Sequence, residues 1–286
     1  MKTAFLFPGQ GSEAPGMGGA ALGSPLARRL LARASAAVGV DVGEAIVRGT
    51  PALARTEVSQ PGLVAVCLAL CEDLQRDGVT PDVVAGHSVG ELAAFCVAGY
   101  FTPEEAVDAA IERGRFMARA AKEHPGGMVA LRREADARAA IAASAGALEL
   151  AAHNAPEEWV VTGERAALAA VGERYGGVRL PVAGPWHSRA MASAEAPWRA
   201  WLDAVPARAP RCAVVANAHG AFVGDERPVE LLVGQLTRPV QWAATLATLT
   251  AAGVSDFRAI GPGRVLRGLV RANLGTRASV RIEDGA

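Results

Sequence analysis

Short apolar runs closed by glycine or proline alternate along this chain with stretches whose apolar residues recur every three or four positions. Thr3-Ala4-Phe5-Leu6-Phe7 is stopped by Pro8-Gly9, which predicts a buried strand feeding a glycine-rich loop. Pro25 to Val38 and Gln60 to Arg76 have helical spacing, with Pro61 standing where a first-turn proline is tolerated. Asp82-Val83-Val84-Ala85-Gly86 reads as a second buried strand. A tight turn then leads to a helix over Glu91 to Ala98 and to a long one from about Pro103 to Lys122. Strands alternating with helices imply a mostly parallel sheet covered on its faces.

From about Gly126 to Pro185 the rhythm changes. Gly127 to Leu131, Leu148 to Ala152, Trp159 to Thr162 and Val178 to Val182 read as strands, and Glu134 to Ala143 and Glu164 to Tyr175 as helices. That order, βαββαβ, is the ferredoxin-like unit. The α/β pattern then resumes, with strands at Cys212 to Ala216 and Asp256 to Ile260 and helices at Trp242 to Thr250 and Arg264 to Asn273. The expectation is a large α/β unit made of residues 1–124 and 186–286, interrupted by a small one over 125–185. A chain of 286 residues without a low-complexity linker accommodates both.

Composition narrows the class. No apolar run approaches the roughly 20 residues of a membrane helix, and MKTAFLFPGQGS lacks a signal-peptide cleavage pattern, so a soluble, cytoplasmic protein away from membranes is expected. The 29 basic and 29 acidic residues are dispersed, which gives no general affinity for nucleic acid. Cys67, Cys71, Cys96 and Cys212 form no CxxC pair and read as buried free thiols rather than zinc ligands or disulfides. A monomer is the default.

The chemistry concentrates at Gly86-His87-Ser88-Val89-Gly90, a G-x-S-x-G pentapeptide between a predicted strand and a predicted helix. In that context the turn pushes Ser88 out of the sheet, and the following helix aims N–H groups and its positive end at a developing oxyanion. A serine needs a base, and the chain has five histidines. His87, beside the nucleophile at a sharp elbow, points elsewhere; His124 and His219 stand in turn-like surroundings. His153 and His187 remain, and no Asp is placed to complete a triad. The loop Gly9-Gln10-Gly11-Ser12-Glu13-Ala14 loosely fits a dinucleotide fingerprint, but no acid stands about 20 residues on, where the chain reads Ala27-Arg28-Arg29-Leu30-Leu31. Its glycines suit an oxyanion or backbone-donor loop better.

These pieces together resemble the malonyl-CoA:acyl carrier protein transacylase family, including the acyltransferase domains of polyketide synthases. The resemblance runs over nearly the whole chain through Phe7-Pro8-Gly9-Gln10-Gly11-Ser12, Gly86 to Glu91, Arg113-Gly114-Arg115-Phe116-Met117, Asn154-Ala155-Pro156, Trp186-His187-Ser188, Pro239-Val240-Gln241-Trp242 and Gly261-Pro262-Gly263. It implies a hydrolase-like parallel-sheet α/β domain with an inserted ferredoxin-like α+β subdomain. It implies Ser88 as nucleophile, His187 as base, and the N–H groups of Gln10 and Val89 as oxyanion hole. The main-chain carbonyl of Gln235 would orient the histidine, Arg113 would clamp a substrate carboxylate, and Asn154 and Trp186 would contact substrate. A guanidinium suits a carboxylate because it offers a planar, two-pronged fork.

The partners implied are malonyl-CoA and an acyl carrier protein, with no metal and no resident cofactor. Two features depart from the family. Glu13 stands where Gln is common, and Trp186 where Phe or Ser precedes the histidine, which directs the expected acyl selectivity toward malonyl over methylmalonyl. The alternatives are a hydrolase clearing stalled acyl groups from carrier proteins, against which Arg113 argues, and a catalytically silent carrier-protein docking module.

Overall fold

The computed structural model describes residues 2–275 and 279–285. Its strands are β1 (Lys2–Phe7), β2 (Val83–Gly86), β3 (Gly126–Leu131), β4 (Leu148–Ala155), β5 (Glu158–Glu164), β6 (Val178–Arg179), β7 (Ala213–Ala216), β8 (Ala221–Phe222), β9 (Val254–Ile260) and β10 (Ser279–Glu283). They form two sheets, one of six strands in the order β10-β9-β1-β2-β7-β8 and one of four in the order β4-β5-β3-β6. The fold class is the expected one, a parallel α/β unit joined to a smaller α+β unit.

In the six-stranded sheet every pairing but β7 with β8 is parallel. Parallel strands are covered on both faces, so their sequences are continuously apolar rather than alternating, as Ala4-Phe5-Leu6-Phe7 and Val83-Val84-Ala85 are. Each such Val, Leu or Phe taken out of water contributes about 1.5–3 kcal/mol. One cluster of buried side chains runs through this sheet and the helices Thr56–Arg76, Gly90–Val97 and Pro103–Glu123. Thr102 begins the last of these with a reciprocal capping box with Glu105 and Pro103 at its first position, so the start of the helix that carries Arg113 is well defined.

The four-stranded sheet is antiparallel throughout its pairings, and the connection order βαββαβ with β3 and β5 in the middle is ferredoxin-like. It has its own small core of Val129, Leu131, Leu148, Val161, Leu168 and Val171 beneath two helices. β4 is its edge, and the backbone there joins the large unit: His153 N–H donates to Val240 O at 2.9 Å and Val240 N–H to Ala151 O at 2.9 Å. That seam places Asn154 against the nucleophile turn.

Several elements differ from the sequence expectation. The helix expected from Gln60 begins at Thr56, so Pro61 lies inside it and leaves one rung without a donor. β4 runs three residues past Ala152, across register shifts, and the strand expected over Val178 to Val182 pairs only at Val178–Arg179. The helices Ala192–Asp203 and Pro228–Gly234 and the edge strand β10 were not foreseen. Pro197 interrupts the first of these, yet Trp198 and Leu202, one turn apart, bury their side chains and hold it against its neighbours. The four cysteines are free, Cys212 half-buried and the others buried. No helix of the described residues is long and apolar enough to cross a membrane.

Candidate active site

The site lies at the carboxyl ends of β1, β2 and β7, where open α/β sheets place their ligands because the loops diverge there. Ser88 is the second residue after β2 and holds φ of 52°, a left-handed conformation costing a non-glycine residue of order 1–3 kcal/mol. Gly86 makes the turn possible: a Cβ built on it would lie 2.1 Å from the carbonyl carbon of Gly90. Asn217, just past β7, accepts the Ser88 N–H at 2.8 Å and donates its amide to Gly86 O, so both ends of the strained turn are tied.

Ser88 Oγ is 2.8 Å from His187 Nε2, and His187 Nδ1 is 2.8 Å from the main-chain oxygen of Gln235. A carbonyl can only accept, so Nδ1 carries the proton and Nε2 presents its lone pair to the serine hydroxyl. His187 itself has φ of 58°, a second strained residue that aims its ring into the site. Burial and then the charge of Arg113 push the imidazole down to about 3, which keeps it neutral, with its Nε2 lone pair free toward the serine, at neutral pH.

Arg113 is buried, 1% exposed, in the middle of the helix Pro103–Glu123. Its guanidinium donates to Gln60 Oε1 at 2.8 Å, to Gln235 Oε1 at 2.5 Å and to Ser88 Oγ at 3.3 Å. Burial lowers it to about 10, against the raising effect of Glu91, and it stays charged at neutral pH. Among the described residues no carboxylate lies within 4.0 Å of it. The three hydrogen-bond acceptors of this buried cation, beside the nucleophile, are all neutral.

The loop after β1 lies across the nucleophile turn, since a Cβ on Gly9 would sit 3.4 Å from Ser88 Cβ and 2.8 Å from His87 O. Thr56 Oγ1 donates to Gln10 Oε1 at 2.6 Å, and Glu13 accepts from Gly11 N–H at 2.7 Å and from Ser59 Oγ, which pins the loop to the helix Thr56–Arg76. Among the backbone hydrogen bonds of the described residues neither Gln10 N–H nor Val89 N–H finds an acceptor. Val89 opens the helix Gly90–Val97, whose positive end faces the turn.

The remaining candidates sit further from the reacting atoms. His87 Nε2 is 2.9 Å from Asn154 Oδ1, and Asn154 Nδ2 donates to Glu158 Oε1 at 2.9 Å, so both ends of that amide are engaged in a link between the two units. Burial lowers the His87 pKa, partly offset by this bond. His153 stacks on Trp159 with ring centroids 3.7 Å apart, away from Ser88. Trp186 is 4% exposed, its ring against Gly184 and its Nε1 without a hydrogen-bond partner. Among the described residues no group of three His, Cys, Asp or Glu side chains could hold a metal ion.

Three contributors escaped the sequence reading. Gln60 and Asn217 are uncharged and belong to no catalytic motif; the available signal was a polar residue at the end of an apolar run. Glu91 is fully buried, and its burial pushes it up to about 7 against the pull of the Asn217 N–H, the Gln235 amide and Arg113.

Residues 4–259 match the family model described as acyl transferase domain. The chain is 33% identical over 284 residues to the malonyl CoA-acyl carrier protein transacylase of Bacillus subtilis, covering 94% of this chain and 90% of that one. The crystal structure of the malonyl-CoA:ACP transacylase of Synechocystis sp. superposes with a TM-score of 0.90 at 31% identity, over 99% of this chain and 97% of that one. A type II polyketide synthase acyl carrier protein in complex with its malonyl-transacylase provides a further neighbour, with TM-score 0.90 at 30% identity, covering 100% and 97%.

Proposed function

The chain belongs to the malonyl CoA-acyl carrier protein transacylase family of acyltransferases, and we propose that it moves a malonyl group from coenzyme A to the phosphopantetheine thiol of an acyl carrier protein through an acyl-Ser88 intermediate. The observation that carries this reading is the Arg113 guanidinium, buried 3.3 Å from Ser88 Oγ with no carboxylate of the described residues within 4.0 Å. An acyl chain ending in a carboxylate satisfies that cation while its thioester carbonyl reaches the serine.

His187 Nε2 takes the Ser88 proton as Oγ attacks the thioester carbon. The C–O bond forms, the carbonyl electrons move to oxygen, and the resulting oxyanion faces the N–H groups of Gln10 and Val89. Collapse breaks the C–S bond, and the departing CoA sulfur receives the proton from His187. In the second half the carrier thiol gives its proton to His187 and attacks the ester; Ser88 leaves with that proton. Both halves pass through the same oxyanion, so one set of donors serves both. The imidazolium formed in each half is steadied by the Gln235 carbonyl dipole in place of a triad carboxylate.

The test is to incubate the protein with malonyl-CoA, locate the adduct by mass spectrometry, and chase it with holo acyl carrier protein or buffer alone. Malonylation of Ser88 discharged by the carrier supports the reading. Rapid discharge to water would make the protein a hydrolase, and absence of an adduct would leave a docking module.

A further inference from the structure

We infer that Glu91 is a positioning residue for both halves of this site, acting through the side-chain amide of Gln235 to set the carbonyl that orients His187 and the acceptor that holds Arg113. The inference rests on the roles given above to Ser88, His187 and Arg113.

Glu91 follows the serine pentapeptide in the first turn of the helix Gly90–Val97 and is fully buried. A carboxylate there is expensive unless its oxygens are served, and among the described residues no Lys or Arg lies within 4.0 Å of it. Its partners are two neutral donors: Oε1 accepts from Asn217 N–H at 2.7 Å, and Oε2 accepts from Gln235 Nε2. An apolar residue would fill the space without that penalty, so the geometry points to what those donors hold.

A glutamine amide has one donating and one accepting end and can be turned either way. A carboxylate only accepts and a guanidinium only donates. Arg113 can only donate and the Ser88 carbonyl can only accept, so the amide has one satisfactory orientation, with Oε1 toward Arg113 at 2.5 Å and Nε2 toward Ser88 O and toward Glu91, whose ionised form is a second acceptor there. In that orientation Nε2 also donates to Ser88 O at 3.1 Å. The same residue's main-chain oxygen receives His187 Nδ1–H at 2.8 Å. Glu91's other oxygen holds Asn217, whose Oδ1 takes the Ser88 N–H. Glu91 touches none of the reacting atoms but borders the supports of all three residues that do.

The experiment compares wild type, Glu91→Gln, Gln235→Met and the double variant Glu91→Gln/Gln235→Met. Two readouts are used: the rate at which a fluorophosphonate labels Ser88, and the ratio of malonyl-CoA to acetyl-CoA kcat/KM. Glu91→Gln keeps the shape but sets a donor against either Gln235 Nε2 or Asn217 N–H. It should fold with a cooperative melt, label about tenfold more slowly or worse, and lose about tenfold of its malonyl preference. In the Gln235→Met background the same change should cost less than about threefold in both, because the path through Gln235 is already cut and the new amide can turn its oxygen to the Asn217 N–H.

Wild-type labelling and selectivity in Glu91→Gln, or costs that multiply across the cycle, would overturn the inference. Should Glu91→Gln alone fail to fold, the Gln235→Met pair decides by the same criterion. Wild type that is labelled at Ser88 but takes no acyl group from malonyl-CoA would overturn the proposed function and the clamp half of this inference. The labelling half would then be judged by its own rates.

Discussion

Truncating Arg113 to alanine removes a guanidinium that is 1% exposed and lies 3.3 Å from the nucleophile oxygen. If a malonyl carboxylate binds there, the change deletes a charge-assisted pair contributing about 1.5–3 kcal/mol, roughly 10- to 150-fold in kcat/KM. Acetyl-CoA has no carboxylate to lose. It stands to gain, because the Arg113 charge is one cause of the depressed His187 pKa, and removing it leaves a more basic imidazole. The substitution also strips the donor from Gln60 Oε1 and Gln235 Oε1, each costing about 1–3 kcal/mol if left dry, so a thermal melt must first show a folded variant. Single-turnover release of CoA from malonyl- and acetyl-CoA then gives the two values of kcat/KM. A malonyl value falling 10- to 150-fold with an acetyl value unchanged or raised is the expected result. An equal fall in both would make Arg113 a structural prop and refute the carboxylate receptor.

Ser88→Ala should abolish acyl-enzyme formation with the melt nearly unchanged, read as loss of the malonyl mass; acyl transfer that survives would exclude the serine as nucleophile. His187→Ala should be as severely impaired, whereas His153→Ala, which loses a stack on Trp159, should be affected mainly in stability. Because the folded imidazole titrates near 3 rather than 6.5, it is still an unprotonated base in mildly acid buffer, and Ser88 labelling should hold its rate down to well below pH 6.5. Half-loss at pH 6.5 would contradict this. The same depression means that between about 6.5 and 3 the unfolded chain binds a proton the folded chain does not, so this group's contribution to stability is lost as pH falls through that window. Trp186→Ser should relax the preference for malonyl-CoA over methylmalonyl-CoA, a discrimination of about 1–3 kcal/mol or roughly 10- to 200-fold. Wild type that loads both acyl groups equally would remove Trp186 from the pocket.

The sequence by itself determined the alternation of elements, the two-unit order and the placement of a serine elbow after the second buried strand. These are local matters: periodicity, turn residues and a steric demand for glycine at Gly86 all act within a few positions of one another. The helix around Pro197 was not legible, because an internal proline argues against a helix and only the burial of Trp198 decides it, whereas Ser279-Val280-Arg281-Ile282-Glu283 carries the period-two alternation of a strand that the reading passed over, and its pairing with β9 is a tertiary matter. The residues also left His153 and His187 as equal candidates for the base until family likeness favoured the second. Only the tertiary structure puts one imidazole 2.8 Å from Ser88 Oγ and stacks the other on Trp159. It alone decides that a buried arginine, two glutamines, an asparagine and a glutamate from five segments share one network. Their partners are 25 to 147 positions away in sequence, and which acceptor meets which donor is set by chain topology and burial, which no local pattern encodes.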